Sequence, residues 1–464
     1  MHEYEQTLRF GGGGETLLST IGIVFLIVGV LLICVVPRKH LILPLLFTIF
    51  CTPLDQQLVV GGLHLTIFRI LILFAWLRVL AGHWTKDYSP SPIDRAMILW
   101  AIASTFTFIC LWGEWGAVVN RLGFLYNAFG VYFLFRILVR DLDDADRAVR
   151  VFAIICGVLA ALMLNERVTG HNVFSIFGGV PELSAIREGN LRAQGPFAHP
   201  ILAGTFGAIL LPLFLGLWWR HKYRKTAVLG IISAVVMVVV SASSTPIMAT
   251  LAGVGALFFW PFRKWMRAFR WGVLAMLVAL HLVMKAPVWA LIGRIDVMGG
   301  SSYHRYELIN QFILHFSEWW LTGTRYTSSW GFYMHDLSNQ FVTEGVEGGL
   351  ITFCLFLWII VCCFQALGRA RKSRFSDLSS RKGVWALGAT LTACLAAFIG
   401  TSFFDQTIVA WYALLAMIAG SALPRRVAMP MPSPQAKTRR WENLEIDEVE
   451  SDGVLASPRL SLLT

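Results

Sequence analysis

Charged residues are scarce in this chain, at 14% of 464 positions, where a soluble protein would carry roughly a quarter. That scarcity excludes an ordinary soluble surface. No HExxH, no GxxxxGK[ST] and no GxGxxG following a strand occurs. Zinc hydrolysis, nucleotide hydrolysis and dinucleotide binding therefore lack support. The eight cysteines (34, 51, 110, 156, 354, 362, 363 and 394) all lie in or beside apolar runs and form no CxxC pair. They read as small buried hydrophobes, not as a disulfide framework or a zinc site. No small-residue cleavage site follows the first apolar run (17–36), so that run reads as a retained span, not a removable leader. No internal repeat suggests inverted halves, which weakens a transporter reading.

What the chain has in abundance is oil. It is 56% hydrophobic, and its apolar runs repeat at about the 20 residues that cross a bilayer as a helix. The windows fall near 17–36, 40–54, 65–82, 96–113, 117–136, 148–164, 198–218, 226–243, 246–262, 271–290, 348–367, 384–402 and 406–423. The second is short and reads as a tilted or re-entrant piece, which gives twelve or thirteen spans. The expected fold is an all-α polytopic membrane domain over 1–423. The tail 424–464, rich in Pro, Ser and charge, is expected to be a disordered cytoplasmic extension.

The formal charge of +11 gathers in short loops between spans, which points to topology and not to a nucleic-acid partner. "RHKYRK" (220–225), "RKWMRAFR" (263–270) and "GRARKSRFSDLSSRK" (368–382) are placed in the cytoplasm by the positive-inside rule. Alternation then puts the turn 113–116 and the loops 165–198 and 286–347 outside, and the acidic "RDLDDADR" (140–147) inside. Those acids suit a helix N-terminus better than a metal site.

The long outer loop carries apolar and aromatic residues at helical spacing from Tyr306 to Trp320, an amphipathic helix at the membrane surface. Ser301 and Ser302 are its candidate caps, with Arg305 near its start. The polar cluster "MHDLSNQFVTEGVEGGL" (334–350) follows. On a helix, His335 and Asn339 would share one face, and Asp336, Gln340 and Glu344 a neighbouring one. Gly345, Gly348 and Gly349 would loosen that helix. A histidine at such a mouth suits acid–base work; the alternative is that these residues only solvate a helix end. In the other outer loop, Arg192 stands beside Gly195 and Pro196 in a rigid turn, suited to bidentate capture of phosphate or to a snorkelling role. Arg121 and Arg69 lie near or within spans and are candidates on that ground. Arg121 is expected near the outer end of its helix and Arg69 nearer mid-span. "SASSTPIMA" (241–249) reads as an outer Ser/Thr turn without a basic partner.

These residues resemble the O-antigen ligase and O-antigen polymerase superfamily, which includes exopolysaccharide polymerases. "RAQGPFAHP" (192–200) matches an outer Arg-x-x-Gly-x-Phe-x-x-Pro stretch before a span. Arg305 in "SSYHRYELI" matches a later loop arginine at a helix start. His335, Gln340 and Glu344 match a closing His-Asn-x-x-x-Gln-x-x-x-Glu pattern, except that Asp336 follows the histidine and the asparagine stands at 339. The family's usual Ser-Arg-Gly element is replaced here by Ser243-Ser244-Thr245-Pro246.

The resemblance implies a multi-pass protein of the bacterial cytoplasmic membrane with its active site facing the periplasm and its C-terminus in the cytoplasm. It implies transfer of a glycan from undecaprenyl diphosphate to an acceptor sugar hydroxyl without nucleotide or cofactor, alongside other polysaccharide-assembly proteins. Arg192, Arg305 and Arg121 would bind the diphosphate. His335 would act on the acceptor with Glu344 or Asp336 tuning it, and Asn339 and Gln340 would give polar support. Polymerization of an exopolysaccharide or O-antigen repeat is favoured over ligation to lipid A core. A flippase for a lipid-linked sugar and a non-catalytic scaffold are the rivals from other classes.

Overall fold

The computed structural model describes residues 16–60, 63–294, 302–373 and 377–422. The tail 424–464 and the candidate cap Ser301 lie outside them. Among the described residues the chain forms fifteen α-helices and two short antiparallel hairpins. Helices α1 (Thr20–Val35) and α2 (Ile42–Cys51) lead into strands β1 (Gln57–Val60) and β2 (Leu63–Thr66), then α3 (Ile67–Ala81). Next come α4 (Pro92–Trp112), α5 (Trp115–Leu138) and α6 (Leu142–Thr169). The loop after α6 carries strands β3 (Ala185–Arg187) and β4 (Asn190–Arg192). Helices α7 (Pro200–Trp218), α8 (Arg224–Val240), α9 (Ser244–Phe258) and α10 (Met266–Val283) follow. The late loop holds α11 (Ser302–Leu314) and the single turn α12 (Phe316–Trp319). The chain closes with α13 (Gln340–Ser373), α14 (Leu378–Phe398) and α15 (Asp405–Ala422).

Each of the thirteen apolar windows is met by a helix, and α2, the window read as short, has only ten residues. Seven helices among the described residues (α4, α5, α6, α7, α8, α10 and α13) are long and apolar enough to cross a membrane by length and composition. Their ends follow local chemistry. Ser91 and Asp94 close a reciprocal capping box around Pro92 at the start of α4. Asp141 caps α6 by accepting from the Asp144 amide at 2.9 Å, the helix-starting role expected of that acidic run. In the same run Asp146 pairs with Arg220 at 2.9 Å and Asp144 with Arg147 at 2.6 Å.

The interior is built around α7 and α15, both buried on nearly every side. Helix α7 packs against α8, α9 and α14, and α15 against α5, α6, α7, α13 and α14. A second, smaller core lies under the late loop, where Leu308, Phe312, Trp319, Trp330 and Met334 meet Val342 and Val346 of α13. Leu308, Phe312 and Trp319 of the expected amphipathic helix therefore pack on protein, whereas Ile313, Leu314, Phe316 and Trp320 stay exposed, and the helix is interrupted at His315. Helix α10 has no buried residue. All eight cysteines are free, but Cys34, Cys110 and Cys354 are exposed, contrary to the expectation that every one is buried.

Helix α13 is broken at Gly349, where φ is 69° and ψ −175°. A Cβ there would lie 2.5 Å from the Leu321 carbonyl oxygen, and the left-handed φ would be strained in any L-residue. The break lets Leu350 N–H bond to the Trp320 carbonyl at 2.8 Å and Thr324 N–H to the Val346 carbonyl at 2.9 Å. The end of the late loop is thus stitched into α13.

Candidate active site

A carboxylate near the end of α6 holds the middle of the loop before α7. Glu166, near the end of α6, accepts from the Gln194 amide at 3.0 Å and the Ser184 hydroxyl at 3.1 Å through Oε1, and from the Gly195 amide at 2.8 Å through Oε2. Gly195 adopts φ 59°, which glycine takes without a Cβ penalty. Asn172 Nδ2 donates to the Gly195 carbonyl at 2.8 Å, and Gln406 Nε2 to the Pro196 carbonyl at 3.1 Å. The rigid turn expected from Gly and Pro is present, and these contacts make it rigid.

That frame buries Arg192. Its backbone is continued by the Ala193 amide donating to the Val240 carbonyl at 3.0 Å. Its Nη2 donates to Ser243 Oγ at 2.6 Å and its Nε to the Ser241 carbonyl at 3.4 Å. No carboxylate among the described residues pairs with it. Burial, and then the positive charge of Arg187 on β3, hold its guanidinium below the usual arginine range.

Arg305, buried in the first turns of α11, reaches the same turn from the late loop. Its Nη2 donates to Ser244 Oγ and to Thr245 Oγ1, both at 2.9 Å. Thr245 in turn donates to the Gly400 carbonyl at 3.2 Å. The turn expected to lack a basic partner therefore has two. Both come from loops far away in the chain, which local sequence does not reveal.

The polar cluster is arranged differently from its expected helical faces. Helix α13 starts at Gln340, so His335 and Asp336 precede it in a turn. Asn339 caps the helix: its Oδ1 accepts from the Phe341 amide at 3.0 Å and the Val342 amide at 3.2 Å, while its Nδ2 donates to the Ile399 carbonyl at 3.2 Å. An asparagine at 339, in place of one directly after the histidine, is what this helix start requires. Gln340 and Glu344 do share a face, with Gln340 Nε2 donating to Glu344 Oε1 at 2.8 Å and Gln340 Oε1 accepting from the Phe403 amide at 2.7 Å. Glu344 Oε2 accepts from Trp100 Nε1 of α4 at 2.8 Å. Both oxygens of Glu344 are therefore engaged within the bundle, and no contact joins it to His335. The role of tuning His335 does not fit that position.

His335 is exposed, and its ring contact is with Tyr333 at 5.7 Å. Arg121 is also separate from the two loop arginines. It is buried on α5, pairs with Glu347 at 2.7 Å and lies 3.6 Å from the Phe108 ring centroid. Its charge is already answered by a carboxylate, which argues against a share in diphosphate binding. Arg69, in the first turn of α3, donates to Asn127 Oδ1 at 3.1 Å, half-way along α5.

Two histidines that the sequence pattern passes over stand beside the arginines. His199 caps α7, its Nδ1 accepting from the Ile201 amide at 3.1 Å. Burial first, then Arg192, pulls it down to about 4, with the carboxylate of Asp336 opposing. His304 precedes Arg305, and its Nε2 lies 3.3 Å from the Asp336 carbonyl and 4.0 Å from Asp336 Oδ2. Asp336 is thus within electrostatic reach of both. Glu166 was legible in principle, since an acid at the edge of an apolar window is a candidate by default. Asp405 was not: it adopts φ 55° and accepts from the Ala198 amide at 2.7 Å, a contact fixed only in three dimensions.

Among the described residues no group of three His, Cys, Asp or Glu side chains could hold a metal ion. No protein-family model matches the chain, and a search of curated proteins gives no match.

Proposed function

We propose that the chain is an integral membrane glycosyl transferase of the polymerase type, in the manner of the O-antigen ligase and polymerase superfamily. In this reading it spans a bacterial cytoplasmic membrane twelve or thirteen times. Arg192, Arg305 and the late loop face the periplasm, and the C-terminus lies in the cytoplasm. The donor is a glycan on undecaprenyl diphosphate and the acceptor a sugar hydroxyl of a growing exopolysaccharide or O-antigen chain. Ligation to lipid A core is the alternative within the same chemistry.

The observation that carries the reading is the convergence of Arg192 and Arg305 on one turn, Ser243 to Thr245. In the reaction the acceptor oxygen bonds to the anomeric carbon while the bond from that carbon to the diphosphate oxygen breaks. The electron pair leaves with the diphosphate, and the hydroxyl proton goes to a base. Charge grows on the diphosphate, and preorganized guanidinium groups stabilize it without reorganizing. Arg192, which no carboxylate among the described residues pairs with, is kept ready for such an anion.

The test uses cells whose surface glycan depends on this protein. Arg192→Ala and Arg305→Ala, at matched protein level, are expected to lower polymer by roughly 100-fold or more, and the purified variants to bind undecaprenyl diphosphate more weakly. Normal glycan from both variants would overturn the reading.

A further inference from the structure

We infer that the group that takes the acceptor proton is His304, oriented by Asp336, and not His335; this rests on the glycosyl-transfer reading above. Both acceptors that face His304 Nε2, the Asp336 carbonyl at 3.3 Å and the Asp336 carboxylate at 4.0 Å, belong to one residue. A backbone carbonyl only accepts, so Nε2 carries the ring's proton and Nδ1 keeps its lone pair. Nothing among the described residues bonds to that Nδ1. The Asp336 carboxylate lies on the Nε2 side at 4.0 Å, so the residue that holds the ring stands away from its Nδ1. This is the division of labour of a nucleophile-activating histidine and its orienting acid.

Position supports the same assignment. His304 is half-buried and directly precedes Arg305, whose guanidinium is fixed on Ser244 and Thr245. One helix turn therefore carries both a base and a binder of the departing anion. The two other histidines near the site are less suited. The Nδ1 of His199 is occupied as the cap of α7, and its protonation is opposed by burial and by Arg192. His335 is exposed, and among the described residues no acid pairs with its imidazole.

In the step itself, the acceptor oxygen attacks the anomeric carbon as its proton passes to His304 Nδ1. The carbon–oxygen bond to the diphosphate breaks, and the lipid diphosphate leaves with the electron pair. The proton then passes from His304 to solvent, which resets the site.

The test compares His304→Gln with His335→Gln. Glutamine at 304 places an amide N–H near the position of Nε2, keeps the bond to the Asp336 carbonyl and supplies no base. The expected result is a loss of polymer of roughly 100-fold or more for His304→Gln, with protein yield and undecaprenyl diphosphate binding within about twofold of wild type. His335→Gln is expected to keep its polymer. Asp336→Asn, which retains the carbonyl contact and removes the charge, should fall between them, again with binding unchanged. Normal polymer from His304→Gln while Arg192→Ala and Arg305→Ala abolish it would overturn this assignment and leave the glycosyl-transfer reading standing. Normal polymer from the arginine variants as well would remove the reading. Loss of polymer together with loss of folded protein in His304→Gln would make the residue structural and also overturn the assignment.

Discussion

Ser243 and Ser244 are neighbours in the chain, and each accepts from a different arginine: Ser243 Oγ from Arg192 at 2.6 Å, Ser244 Oγ from Arg305 at 2.9 Å. Two loops far apart in sequence are registered to each other through one peptide unit. A hydrogen bond to a charged group is worth about 1.5–3 kcal/mol. Under the proposed reading, Ser243→Ala should therefore weaken binding of undecaprenyl diphosphate by roughly 10-fold or more, with the fold intact. A titration of the purified variant against wild type measures it, and unchanged affinity would show that Arg192 is aimed by the loop alone.

Glu166 should prove as important as the arginine it positions. Glu166→Gln keeps one acceptor oxygen but presents an amide to donors that already point inward, the Gln194 and Gly195 amides and the Ser184 hydroxyl. Leaving buried donors without an acceptor costs about 1–3 kcal/mol each. Faster hydrogen exchange at the Gln194 and Gly195 amides, with unchanged exchange in α11, is the expected result.

Stability should fall as the medium is acidified, in a way that traces to His199. Its folded-state value of about 4 lies below the ordinary 6.5, so the unfolded chain binds the proton more readily between those values. Stability from this residue is complete above about pH 6.5 and declines as pH falls towards 4. Protonation also removes the Nδ1 lone pair that caps α7. His199→Asn keeps a capping oxygen without titrating. Melting curves from pH 7 to 4.5 should show a shallower decline for this variant than for wild type.

At the other end of the bundle, Asp94 gathers Arg136 at 2.8 Å, Tyr132 at 2.6 Å and Tyr88 at 2.6 Å, with both charged side chains almost wholly buried. Asp94→Ala would leave Arg136 uncompensated in the interior, at a cost of about 3–5 kcal/mol. A lower melting temperature and a reduced yield of folded protein in detergent are expected and, under the proposed reading, an unchanged affinity for undecaprenyl diphosphate in the fraction that folds.

The helical windows were legible because periodicity and length are local properties. The ten-residue α2, read as a short piece, shows how far that reaches. The caps were half legible. Asn339 immediately before an apolar run is a recognized helix-start signal, but the spacing of His335, Asp336, Gln340 and Glu344 fits one continuous helix equally well. Long-range partners were not legible. Nothing near "SASSTP" in sequence indicates that Arg192 and Arg305 close on it, and nothing near His304 indicates that Asp336 does. For the same reason Glu344, which stood beside His335 in the pattern, belongs in space to Trp100.

The anchoring of the two guanidinium groups on consecutive serines also fixes the number of cations at the turn. Each can meet one phosphoryl group, and a monophosphate offers only one. Under the proposed reading the site would therefore sense how many phosphoryl groups the leaving group carries. Undecaprenyl monophosphate should bind markedly more weakly than the diphosphate, by more than the loss of one charge alone would give. Such discrimination would let the spent carrier, once trimmed to the monophosphate, leave without competing for the next donor.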